Sequence, residues 1–79
     1  MPVRLMLAAS LRKYVSNYDG STGHEMIAEP GSTVRDLARR LSIPEDEVKI
    51  IIVDGISARW DLPLTGDERV ALFPAVGGG

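Results

Sequence analysis

One helix among short strands is the feature that most limits how this chain can fold. The stretch PGSTVRDLARRLSIP, residues 30–44, places Val34, Leu37, Ala38 and Leu41 at i, i+3, i+4 and i+7, which is a single apolar stripe. Ser32 or Thr33 can accept hydrogen bonds from the free amides at its start, and Pro44 stops it. The other segments read as strands and loops. Val3, Leu5 and Leu7 alternate, as in a strand with one buried face. SLRKYV adds a turn of helix, SNYDGSTG is a loop, and HEMIAE is a short second strand, antiparallel to the first. After the helix, PEDE makes one further turn, and VKIIIVDG is an apolar run with both faces covered. Asp54–Gly55 is a hairpin turn, because Gly accepts a positive φ. ISARW returns as a short, more polar strand, and DLPLTGDE is a connection with Leu62 and Leu64 as plugs. RVALFPA is the last strand, ended by Pro74. A mixed sheet of four to five strands with one main helix packed on one face is an α+β domain.

At 79 residues the chain is one domain with a modest core, burying ~60–65% of its unfolded surface. A net charge of −2 argues against nucleic acid as a partner, since such binders carry a basic stripe. The absence of cysteine removes disulfides, thiolate metal sites and a cysteine nucleophile together. At the N-terminus, MPVRLMLAAS is cut short by Arg12 and Lys13, too soon for a signal peptide. No stretch is long enough to span a membrane. The expectation is a soluble cytoplasmic protein that does not engage membranes.

A search for catalytic machinery finds little. His24 is the only histidine and reads as a solvated side chain, so no base is available to activate Ser10 or Ser16. The DGSTG loop lacks the lysine of a phosphate-binding motif. The acidic runs Glu45–Glu47 and Asp67–Glu68 read as solvated surface. Arg35, Arg39 and Arg40 share a helix with Asp36, and local ion pairs account for much of that cluster; docking to an acidic partner is the weaker reading. Trp60 reads equally as a half-buried core edge and as a contact anchor.

The sequence FPAVGGG supplies a different kind of reactive group. Glycine has no Cβ, so Gly77–Gly79 form a thin stem that can reach ~10 Å and thread a narrow channel. The terminal carboxyl has a reference pKa of ~3.3–3.7 and is ionised at neutral pH, hence a poor electrophile. A partner must activate it, for example as an acyl-adenylate. The chain then divides into a domain at 1–76 and a flexible glycine tail at 77–79, and acts as a substrate and not as an enzyme.

Several of these segments are similar to those of a known family. SLRKYV resembles a Leu-Arg segment after the first strand; EPGSTVRDLARRL resembles a Gly-x-Thr-Val-x-x-Leu approach to the helix; IIVDG resembles a Val-Asn-Gly turn with Asp54 in the Asn place. LTGDERVALFPAVGGG is similar to a Gly-Asp-Glu-Val-Ala-x-x-Pro-Pro-Val-x-Gly-Gly ending, the most specific match. The chain thus resembles the small ubiquitin-like sulfur carriers, the molybdopterin synthase small subunit and the related thiamine-pathway carrier, with Phe73–Pro74 closer to the molybdopterin branch. The resemblance implies a β-grasp fold with its first and last strands parallel at the sheet centre. It implies that Gly79, preceded by Gly78, is adenylated by an E1-like enzyme using ATP and Mg²⁺, and converted to a thiocarboxylate. The large molybdopterin synthase subunit would take that sulfur. The chain itself would bind no cofactor or metal, and would be a monomer when free. Phe73, Pro74, Val76 and Gly77 would lie on the docking surface. Ala75 replaces a common second Pro, and Gly77 is an extra glycine. A thiamine-pathway carrier, a ubiquitin-like protein modifier and a β-grasp interaction module with an idle tail are the alternatives.

Overall fold

The alternation of Val3, Leu5 and Leu7 does set one face of a strand, β1 (Val3–Leu7), with all three side chains buried. The computed structural model describes residues 2–75. After β1 come a 3-10 helix (Ala9–Tyr14), β2 (His24–Met26), α1 (Val34–Arg40), a second 3-10 turn (Glu45–Glu47), β3 (Val48–Val53), β4 (Ile56–Ser57) and β5 (Arg69–Pro74). The five strands form one sheet in the order β2-β1-β5-β3-β4. β1 and β5 run parallel, with Leu5 beside Val70 and Leu7 beside Leu72. The other pairings, β1–β2, β3–β5 and β3–β4, are antiparallel. A parallel pair needs a crossover, and the chain between these two strands, including α1, supplies it. This is the β-grasp arrangement, with β1 and β5 at the sheet centre as expected.

The core lies between the sheet and α1. Val34, Leu37 and Ala38 of the helix join Val3, Leu5, Leu7, Ile51, Val53, Val70 and Leu72 in one buried cluster. The helix is short because both of its ends are specified by side chains and backbone. Thr33 is its N-cap: the Thr33 hydroxyl accepts from the Asp36 N–H at 3.3 Å, and Asp36 Oδ2 accepts from the Thr33 N–H at 2.9 Å. That donation from the Thr33 backbone, helped by its hydroxyl and by Arg39 and Arg35, holds the Asp36 carboxyl below its usual range. The expected Asp36 pairs with Arg39 and Arg40 are therefore replaced by a cap. The other end also departs from the expectation. Ser42 takes a left-handed φ of 59°, the Ile43 N–H donates to the Ala38 carbonyl and the Ser42 N–H to the Arg39 carbonyl. This is a Schellman motif, with Ile43 buried, and it ends the helix before Pro44 is reached.

Further elements follow the sequence, with corrections. Asp54 and Gly55 both have positive φ, 51° and 84°, the type I′ geometry that matches strand twist. Asp54 Oδ1 accepts from the Arg69 N–H at 2.9 Å, tying the turn to the start of β5. Gly23 sits so close to β1 that a Cβ there would meet the Leu5 carbonyl at 2.9 Å. The run VKIIIV is covered on one face only: Val48, Ile51 and Val53 are buried while Lys49 and Ile50 are exposed. One helix covers one face of a sheet, so apolar composition alone overstated the burial. β4 is two residues long, and Trp60 lies beyond it in a turn, half-buried against the core. Leu64 is a plug at 1% exposure, but Leu62 at 36% is not. The acidic run Glu45–Glu47 is partly engaged, Glu45 with Arg35 at 3.1 Å and Glu47 with Lys13 at 3.8 Å.

Glu68 organises the loop before β5. Its Oε2 accepts from the Thr65 N–H at 2.7 Å and its Oε1 from the Gly66 N–H at 3.0 Å. Partial burial pushes this carboxyl up, but the N–H groups of Thr65 and Gly66 outweigh it and hold the pKa below its ordinary value. A depressed folded-state pKa contributes stability that is present above the unfolded value and lost as pH falls through the folded one. Glu68→Gln is expected to cost about 1 kcal/mol at neutral pH and to flatten the loss of stability on acidification, as read by urea unfolding across a pH series.

Candidate functional site

β5 lies between β1 and β3, so its alternate residues point to opposite sides of the sheet. Val70 and Leu72 point to the core. Ala71 and Phe73 point away from α1, and their cross-strand partners share that face. Ala71 is beside Met6 and Ile52, and Phe73 is beside Ile50. Met6, Ile50, Ile52, Ala71 and Phe73 therefore form an apolar strip on the side of the sheet that the helix does not cover. Ile50 is 48% exposed and Phe73 is 39% exposed. At the end of the strip, where the chain leaves β5, a groove of about 550 Å³ is lined by Ala8, Ala9, Ile50, Phe73, Pro74 and Ala75.

The segment after β1 shapes the other side of Phe73. Leu11 of the 3-10 helix is fully buried. Arg12 donates from Nε to the Leu7 carbonyl at 3.2 Å and lies over the Tyr18 ring, 5.6 Å from its centroid. The Tyr18 hydroxyl in turn accepts from the Leu7 N–H at 2.7 Å. These contacts hold the end of β1 beside β5 and keep the rim of the groove fixed. An exposed apolar strip beside such a groove is suited to docking a protein surface.

Of the residues singled out in the sequence, Phe73 is exposed on this strip and Pro74 is half-buried at its end. Val76, Gly77, Gly78 and Gly79 lie outside the described residues. Ile50 and Ile52 escaped sequence reasoning because the run around them read as fully covered. The signal that could have found them is the helix count, since a second helix would be needed to cover this face. His24 sits on β2 beside Leu5, and no cluster of His, Asp and Glu among the described residues could hold a metal ion. No helix among the described residues is long and apolar enough to cross a membrane.

A mixed five-stranded sheet grasping one helix is the β-grasp fold of the ubiquitin-like class, and here an apolar strip on the sheet leads toward the C-terminal segment. The ThiS family model matches residues 8–79, and the chain belongs to the ThiS family. The fold recurs among solved structures, three of which are compared with this chain. SAMP1 from Haloferax volcanii superposes with a TM-score of 0.70 at 19% identity, over 100% of both chains. The molybdopterin converting factor, subunit 1, from Pyrococcus furiosus gives 0.67 at 23% identity, over 96% of this chain and 99% of that one. The Haloferax volcanii HVO 2177 protein gives 0.74 at 20% identity, over 100% of this chain and 87% of that one. A search of curated proteins finds no match.

Proposed function

We propose that this protein carries sulfur on its C-terminal glycine for molybdopterin biosynthesis. The observation that carries the sulfur-carrier part of the reading is the family match, which extends through the glycine run to Gly79; the family match does not choose the pathway. In the proposed cycle a carboxylate oxygen of Gly79 attacks the α-phosphorus of ATP, and pyrophosphate leaves. An E1-like partner holds the nucleotide and its Mg²⁺. A hydrosulfide-level nucleophile from a sulfur donor then attacks the acyl carbon; the C–O bond to AMP breaks and a thiocarboxylate remains. Gly78 and Gly77 give the stem its narrow cross-section, and the large synthase subunit receives the sulfur. The chain is a substrate throughout. The likeness to a molybdopterin converting factor subunit and the Phe73–Pro74 pair favour this pathway over thiamine synthesis.

The test is intact mass after incubation with an E1-like enzyme, ATP, Mg²⁺ and a sulfur donor. The expected product is heavier by the difference between sulfur and oxygen. An unchanged mass sinks the carrier reading, and covalent adducts on lysines of other proteins would favour a modifier. Delivery to the molybdopterin synthase large subunit, and not to a thiamine-pathway enzyme, distinguishes the two sulfur pathways.

Phe73 provides a mutational check. A third or more of its surface is open, so Phe73→Ala is expected to cost about 1 kcal/mol of stability, well below the ~3–5 kcal/mol of a core Phe. Affinity for the large subunit is expected to fall at least about tenfold, as for an aromatic anchor. Thermal unfolding and a titration of the two subunits separate these effects.

A further inference from the structure

A second surface, which meets the apolar strip at Ile50, has a different character. β4 covers little of β3: its register takes in only Ile52 and Val53, and the Ala58 N–H to the Ile51 carbonyl, at 2.9 Å, is the last rung. The Val48–Ile50 end of β3 therefore has β5 on one side and, among the described residues, no strand on the other. The register between β3 and β5 skips Lys49 at a bulge. Facing this open edge is the segment after β4, held by the Arg35 N–H donating to the Trp60 carbonyl at 3.0 Å. Between edge and segment lies a groove of about 460 Å³, lined by Arg35, Lys49, Arg59, Trp60 and Asp61 among others. Three cations thus face it against one carboxylate, on a chain whose net charge is −2.

We propose that this groove docks an extended, acidic segment of a partner protein, which adds to the open edge of β3. The two features of the groove select that occupant jointly. A strand edge offers backbone donors and acceptors, which an extended peptide satisfies and a free phosphate does not. Lys49 and Arg59 are exposed and pair with no carboxylate among the described residues, while Arg35 also holds Glu45 at 3.1 Å. Trp60, half-buried, gives a flat apolar wall for the side chains between the acidic ones. A second copy of this chain fits poorly: two β3 edges side by side would bring Lys49 and Arg59 against their own copies, and a lysine on an edge strand opposes such self-pairing. The proposal uses no residue of the glycine tail and is independent of the sulfur-carrier reading.

The experiment is an NMR titration of the full-length, ¹⁵N-labelled chain with an end-capped synthetic peptide of alternating valine and glutamate. Parallel arms use the same peptide with glutamine for glutamate, and inorganic phosphate. The expected result is saturable shifts at the amides of Lys49, Ile50 and Arg59 and at the Trp60 indole, with weaker binding as salt rises. Lys49→Glu with Arg59→Glu should weaken the peptide roughly tenfold, as two partly screened ion pairs are lost. Both positions are exposed, so the fold should survive; Lys49→Gln and Arg59→Gln singly serve if it does not. The proposal is overturned if no saturable shift occurs, if the glutamine peptide binds equally, if phosphate reproduces the same shifts, or if the reversals leave affinity unchanged. Concentration-dependent dimerisation through this edge would also overturn it. Repeating the titration with one residue added after Gly79 should give the same result, which keeps the outcome separate from any failure of carrier chemistry.

Discussion

Adding a single alanine after Gly79 is expected to abolish thiocarboxylate formation completely while leaving the melting temperature unchanged. The reacting carbon in the proposed cycle is the terminal acyl carbon, and an added residue turns it into an ordinary amide that ATP cannot adenylate. Nothing in the described core depends on it. The buried cluster is complete at Leu72, and β5 ends at Pro74. Deleting Gly78 and Gly79 should give the same pair of results, because the shortened stem no longer reaches the partner's nucleotide. Mass spectrometry after the activation reaction reads the first quantity, and thermal unfolding the second. A large fall in melting temperature would mean that the tail packs as part of the fold. Full activity of the extended protein would remove Gly79 from the chemistry.

The opposite pattern is expected one strand position away from the docking face. Leu72 is 1% exposed and sits on β5 with Leu7 on one side and Ile51 on the other. Leu72→Ala should cost ~3–5 kcal/mol through lost burial and the cavity left behind. A domain of this size has only about 4–12 kcal/mol in total. A fall in melting temperature of roughly 15–30 °C is expected, with a largely unfolded protein at physiological temperature if the total is at the low end. Calorimetry checks it. Set beside Phe73→Ala, which should weaken binding and spare the fold, the pair tests whether adjacent residues of β5 serve opposite faces. Equal destabilisation by both would contradict the assignment of Phe73 to the open face.

Much of this fold was legible because the local signals were strong and agreed. The period of Val34, Leu37, Ala38 and Leu41 marked the helix, the alternation of Val3, Leu5 and Leu7 marked β1, and Asp54–Gly55 marked the hairpin. The misreadings share a cause: each turned on where a side chain's partner lies in space. Asp36 was assigned to arginines one turn on, but its carboxylate reaches back to the Thr33 N–H. Ser42 is an ordinary residue in sequence, and only the two hydrogen bonds around it show that it ends the helix. Ile50 was read as covered, and Trp60 was left between core edge and contact anchor, because composition does not say which surfaces a single helix leaves open. For the candidate site, the exposed Phe73 was expected, whereas its neighbours Met6, Ile50 and Ile52 came together only through the pairing of three strands.

The position of β5 bears on how the protein withstands being handled. A strand at the margin of a sheet unzips one rung at a time when its end is pulled. β5 is laced on both sides, parallel to β1 and antiparallel to β3, so tension along the chain's exit direction loads many rungs in shear at once. Whatever grips the last residues can therefore tug hard on them without unravelling the body that delivers them.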